Sequence, residues 1–257
     1  MFIDSHCHLD FPCFATQLAP LLSQLEENRI TNVIIPGTQK KSWGAIQQLC
    51  STYTQCYYGL GIHPHFLDTF QADDLLFLEK SLITADKKCV ALGEIGLDKY
   101  AQADTALQEN VFIKQLQIAE KCSLPIILHV LKKQGRVLEI LKAVNFKQGG
   151  VYHSFSGSYE VAMEFIKLGF KLGIGGVITY PNATKTKKTI SRLPIRSLLL
   201  ETDAPGSPLY LQKGGFNCPL NLITIFESLC LLRTESKSCL AAQIVKNTTS
   251  IFSLNND

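Results

Sequence analysis

No stretch of this chain approaches the roughly 18 consecutive apolar residues that a membrane-spanning helix needs, and no such span is expected. Residues 1–6 carry neither a basic n-region nor an apolar h-region, so no secretory leader is expected either. The nine cysteines are odd in number and include no C-x-x-C pair, which excludes the even framework of a small disulfide-stapled secreted protein and the spacing of a zinc knuckle. A reducing compartment fits, and a soluble cytoplasmic protein is the expectation. No Lys/Arg tract is present: 25 basic residues face 22 acidic ones for a net charge of +3. A duplex reader would show a clustered basic stripe, whereas an enzyme gripping one phosphodiester can leave the positive field to bound metals, so charge alone leaves the substrate open. No repeat, low-complexity tract or Pro/Ser linker divides the 257 residues, and one domain over 1–257 is expected, with no membrane partner and no obligate protein partner.

What the chain has is apolar material, 46% hydrophobic against 18% charged, enough for a large core. Short β-rich apolar runs recur at 2–4, 33–36, 57–62, 90–93, 126–128, 150–152, 171–174 and 198–200. Between them lie segments of helical periodicity at 15–27, 43–52, 74–85, 105–121, 137–144 and 161–168, with more helix at 220–233 and 238–247. Eight strands alternating with helices over this length predict an α/β fold, a single closed (β/α)8 TIM barrel, rather than an open sheet.

The six histidines all fall at C-terminal ends of predicted strands: His6 and His8 after the first, His63 and His65 after the third, His129 at the fifth and His153 at the sixth. In this barrel type the βα loops at that end build the active site, so the convergence predicts a catalytic mouth. Any one of them, alone, reads as a hydrogen-bonded core or surface group. His6 and His8 lie two apart and share a face, with Cys7 pointing into the barrel wall. Asp4 has the same parity and is either an acceptor behind a ligand or a buried structural group. Two acids complete the set: Glu94, flanked by Gly93 and Gly96, and Asp203, just past the apolar run ending at Leu200. Imidazoles and carboxylates together are donors for zinc, manganese, nickel or magnesium.

With these pieces assembled, the chain resembles the TatD family of metal-dependent hydrolases, a group of amidohydrolase-like barrels, and its YjjV-type branch in particular. The resemblance is carried, in family order across nearly the whole chain, by Asp4-Ser5-His6-Cys7-His8, Gly61-Ile62-His63-Pro64, Gly93-Glu94-Ile95-Gly96-Leu97-Asp98, Leu128-His129, His153-Ser154-Phe155-Ser156-Gly157, Gly175-Gly176-Val177-Ile178-Thr179-Tyr180-Pro181 and Leu200-Glu201-Thr202-Asp203-Ala204-Pro205. It implies two divalent metals, with His6, His8 and Asp203 on one, His129 and His153 on the other, and Glu94 bridging. It also implies cleavage of DNA phosphodiesters by a monomer, with Mg²⁺ or Mn²⁺ as activators and Zn²⁺ or Ni²⁺ as further occupants. Three positions depart from the family pattern: Leu131 stands where Arg is common, Asn182 where a basic residue is common, and Cys218 replaces the usual Arg or Glu before Pro219. All three fall on the expected substrate surface rather than among the ligands.

The mechanism so implied is attack by a metal-activated water, with Asp203 as proton acceptor and His63 contacting phosphate or assisting the leaving oxygen. His65 is either a further contact or a surface histidine. Lys132 and Tyr180 are candidate substrate contacts, and Lys133, Lys185 and Lys187 face either a polyanion or solvent. Two rival readings use the same barrel: an amidohydrolase cutting C–N, ester or lactone bonds, and a metal-binding regulatory protein of weak activity. Glu94 stands where many amidohydrolases carry a modified lysine, which favours phosphodiester chemistry over the first.

Overall fold

The structure is a computed structural model describing residues 1–212 and 215–254. Eight strands form one parallel sheet in chain order: β1 (Phe2–Asp4), β2 (Ile30–Pro36), β3 (Cys56–Leu60), β4 (Cys89–Asp98), β5 (Ile126–Leu131), β6 (Gly150–Tyr152), β7 (Phe170–Ile174) and β8 (Leu198–Leu200). Helices α1 (Leu18–Glu27), α2 (Lys40–Thr52), α3 (Asp73–Ile83), α4 (Thr105–Cys122), α5 (Gln134–Ala143), α6 (Tyr159–Lys167) and α7 (Thr184–Ile190) alternate with the strands, and α8 (Leu222–Cys230) and α9 (Lys237–Ile251) follow the last one. This is the expected barrel. The seam between β1 and β8 is closed by Ser5 N–H donating to Leu200 O (3.0 Å), with Asp203 N–H on His6 O and His8 N–H on Ala204 O just above (both 2.8 Å).

Strand parity sorts the apolar residues into two layers. Val33, Ile35, Ile126, Leu128, Leu198 and Leu200 face the helices, whereas Ile34, Ile127 and Leu199, their neighbours in sequence, pack inside the barrel with Ile3, Ala91 and Val151. Phe252 and Leu254, just past α9, join that inner layer. Two residues further along β5, β6 and β8, the inward parity that begins with Ile127, Val151 and Leu199 reaches His129, His153 and Glu201.

Three local departures from the sequence expectation have physical causes. The third strand stops at Leu60 because the Gln115 side chain, from α4, takes over the ladder: Ile62 N–H donates to its Oε1 (2.8 Å) and its Nε2 donates to Ile62 O (3.0 Å). The fourth strand runs on to Asp98, past the glycine and the acid that look like its end, because a bulge absorbs Glu94 and pairing resumes at Ile95 opposite Leu128. The helix over 184–190 shows no apolar period. It docks by hydroxyls, Thr186 Oγ1 meeting Ser156 Oγ at 3.2 Å and Thr189 Oγ1 donating to Gly157 O at 3.0 Å.

Candidate metal centre

The sheet delivers six histidines and two acids to one mouth from five strand ends and the loop after β8. His6 and His8 follow β1, and their Nε2 atoms lie 3.3 Å apart. Cys7 between them is buried in the wall, its thiol 3.7 Å from Ala204 O, as its parity requires. The bulge in β4 turns Glu94 out of the ladder and into the opening, where its backbone N–H donates to Gly37 O (2.8 Å). Asp203 sits in the left-handed region (φ 57°), with Ser207 Oγ donating to its Oδ2 at 2.6 Å.

The two oxygens of Glu94 face two different groups of donors. On one side, His6 Nε2 and His8 Nε2 lie 3.4 and 3.6 Å from Oε2, and each lies 3.6 Å from Asp203 Oδ1. On the other, His153 Nε2 and His129 Nδ1 lie 2.9 and 3.1 Å from Oε1 and 3.1 Å from each other. His63 Nε2 is 3.5 Å from the same oxygen. A tetrahedral cation with ligand bonds of about 2.1 Å has ligand-to-ligand edges of about 3.4 Å. The five separations among His6, His8, Glu94 and Asp203, 3.3 to 3.6 Å, match such edges. These residues therefore fit a metal ion.

Electrostatics point the same way. Burial works against ionisation of Glu94, but the imidazoles of His153, His63 and His6 outweigh it and hold the carboxyl well below its usual range. Burial, with His6 beside it, lowers His8 to about 4, and burial lowers His63 to about 3, so both rings are neutral at pH 7. Burial would depress His129 and His153 as well, but Asp98 and Glu94 raise the first, and Glu94 and Glu201 raise the second. The ionised Glu94 beside the neutral ring of His8 attracts a cation, which would displace the protons favoured on His129 and His153.

Other expected residues lie close by. Lys132, Tyr180 and Asn182 line a cavity of about 700 Å³ shared with Ser154, Lys185 and Ser207, the serines neighbouring or bonding to the acids and imidazoles described above. Tyr180 donates its hydroxyl to Pro208 O (2.8 Å). His65, its side chain 46% exposed, is tied by Nε2 to Asp98 Oδ2 at 2.8 Å. Asp4 contacts no imidazole nitrogen in the described hydrogen-bond network: its carboxylate accepts from His6 N–H (3.2 Å), Thr202 N–H (3.0 Å) and Thr202 Oγ1 (2.6 Å), pinning β1 to the segment after β8.

Sequence reasoning gave no role to two acids. Asp98 Oδ2 accepts from His129 Nε2 at 2.9 Å, leaving His129 Nδ1 toward Glu94. Glu201, fully buried, accepts Ser154 N–H, and its Oε1 lies 3.7 Å from His153 Nδ1, too far for a hydrogen bond, so its hold on that ring is electrostatic. The available signal was parity: Asp98 lies four residues past Glu94 in the same run, and Glu201 two past the inward Leu199.

A parallel barrel with imidazoles and acids gathered at the C-terminal mouth defines a metal-dependent hydrolase. The profile of the family described as "TatD related DNase" matches residues 3–253. The chain is 37% identical over 254 residues, 98% of each chain, to a protein of Escherichia coli K12 named "Uncharacterized metal-dependent hydrolase YjjV". It is 29% identical to the "Uncharacterized metal-dependent hydrolase YabD" of Bacillus subtilis 168, over 99% of this chain and all of the other. The crystal structure of E. coli K12 YjjV, described as a TatD homolog, superposes with a TM-score of 0.96 at 37% identity, covering 99% of this chain and 98% of that one. The chain belongs to the TatD family.

Proposed function

We propose that this hydrolase cleaves phosphodiester bonds, DNA among its substrates in single-stranded or nicked form, with two divalent metals as cofactors, Mg²⁺ or Mn²⁺ in function and Zn²⁺ or Ni²⁺ as alternative occupants. The observation that carries the reading is the division of Glu94: Oε2 toward His6, His8 and Asp203, Oε1 toward His129 and His153. Bound to these residues, the pair of cations supplies Lewis-acid charge for phosphate oxygens and lowers the pKa of a water toward neutrality. Glu94 stays ionised and holds both groups of donors in register. Asp203, with Oδ1 among the ligands and Oδ2 bonded to Ser207, accepts the proton released by the attacking water. His63 donates toward the departing oxygen. Lys132, Lys185 and Tyr180, which line the adjoining cavity, would hold the flanking part of the substrate, with His65 as a further contact.

Nine unpaired thiols support a cytoplasmic setting, and one sheet running from β1 to β8 supports a single domain; a monomer is proposed from the family resemblance alone. The test is an assay of the metal-loaded protein on bis-p-nitrophenyl phosphate, a single-stranded DNA oligonucleotide and a lactone panel. Metal-dependent cleavage of the first two supports the proposal. Lactone turnover without phosphodiester cleavage transfers the site to carbonyl chemistry, and inertness toward all of them points to a regulatory metal protein.

A further inference from the structure

His63 and His129 stand side by side, ring centroids 4.3 Å apart, and both face Glu94 Oε1. They reach it with different atoms, Nε2 from His63 and Nδ1 from His129. A neutral imidazole has one N–H and one lone pair, and the partner of one nitrogen decides what the other offers. His129 Nε2 lies 2.9 Å from Asp98 Oδ2, an acceptor, so Nε2 keeps a proton, and Nδ1, 3.1 Å from Glu94 Oε1, is the nitrogen left bare when a cation binds. His63 Nδ1 lies 3.1 Å from the backbone N–H of His65, a donor, so Nδ1 is bare and the proton is on Nε2. One ring therefore presents a lone pair to the centre and its neighbour presents a hydrogen.

Both settings pass through one clamp. The His65 ring donates to the same Asp98 Oδ2 at 2.8 Å while its main chain holds His63. Asp98 is itself immobilised: Oδ1 accepts Tyr100 N–H at 2.7 Å, and its own N–H donates to Gln108 Oε1 at 2.9 Å, that amide being fixed in turn on Ala103 O at 2.9 Å. Asp98 and Gln108 are 1% and 3% exposed, so water does not compete for these bonds.

We infer that His65 and Asp98 are positioning residues that set the neighbouring rings for opposite tasks, His129 as a metal ligand through Nδ1 and His63 as a hydrogen-bond donor through Nε2, excluded from ligation. The inference rests on the metal reading above and deepens it. It also removes His63, Glu94 and His129 as a ligand triad, although their donor atoms lie within 4.8 Å of one another.

The experiment is long-range ¹H–¹⁵N correlation of the histidine rings in the full chain loaded with Zn²⁺, with zinc stoichiometry measured on the same sample. Protons on Nε2 of both His63 and His129, with zinc coordinated at His129 Nδ1, are the expected result. Zinc uptake with a proton on Nδ1 of either ring, or zinc on His63, overturns the inference and leaves the metal reading standing. Failure to take up zinc overturns both. Asp98→Asn keeps the shape but can donate to Nε2, so the His129 proton should move to Nδ1 and zinc affinity, from chelator competition, should fall by about 10- to 100-fold. Parent zinc affinity with an unmoved proton in Asp98→Asn overturns the inference; the wild-type spectrum decides it if that variant does not fold.

Discussion

Glu94 is the residue on which the proposed chemistry converges, since each of its oxygens serves a different group of donors. Glu94→Ala and Asp203→Ala are expected to lower kcat/KM on a phosphodiester by more than about 100-fold, beyond the loss typical of residues that only orient ligands. Far-ultraviolet circular dichroism should be unchanged, because the barrel core lies below this layer. Turnover within tenfold of the parent in either variant would remove that residue from the mechanism. The residues gathered at the mouth were legible because strand parity and six histidines at strand ends were enough to collect them. Asp98 and Glu201 were not: parity puts both on the inward side, but it does not tell which imidazole an inward acid meets, and both look like ordinary residues of a strand end or turn.

At the scale of elements, the buried side chain of Gln115 does the work of a missing strand partner. Gln115→Ala removes two hydrogen bonds and strands the buried N–H and C=O of Ile62, a cost of about 2–4 kcal/mol that urea unfolding would register. A change below about 0.5 kcal/mol would mean that water replaces the amide. Near the start of α3, Asp74 accepts from Lys40 Nζ (2.8 Å) and from Gln71 N–H (2.9 Å). Burial opposes its ionisation, yet these donors outweigh it and hold the carboxyl below its ordinary value. The folded chain thus binds fewer protons at this site than the unfolded chain, so its contribution is present above the unfolded pKa, about 4, and is lost as the pH falls through the lower folded value. The stability gap between the parent and Asp74→Asn should be under about 1 kcal/mol at pH 7 and close on acidification; a gap that widens in acid would contradict this. Strand and helix identities were readable because apolar runs change period at each boundary. The bulge at Glu94 and the hydroxyl-docked α7 were hidden, one because pairing resumes beyond an apparent stop, the other because threonines carry no hydrophobic period.

For the whole molecule, cations that bind the folded mouth and not the unfolded chain stabilise it by about 2.7 kcal/mol at a hundredfold excess over Kd. With about 2–4 °C per kcal/mol at this size, Zn²⁺ or Mn²⁺ should raise Tm by about 5–10 °C over a chelator-treated sample. Glu94→Ala should shrink that gap, and an equal shift in parent and variant would place the ions elsewhere. The barrel itself was predictable as a count of alternating elements, whereas the way its ring is locked was not, since the Asp4 contacts to Thr202 join positions 198 residues apart.

That lock has a consequence for the order in which the protein acquires its chemistry. The contacts pinning β1 to the segment past β8 are the same ones that set His6 and His8 opposite Asp203. During synthesis Glu94 emerges well before Asp203, so His6 and His8 have only one of the two acids that face them until residue 203 has followed and the ring has shut. Growing chains are therefore expected to be inert, the hydrolase site being complete only with the final closure of the fold.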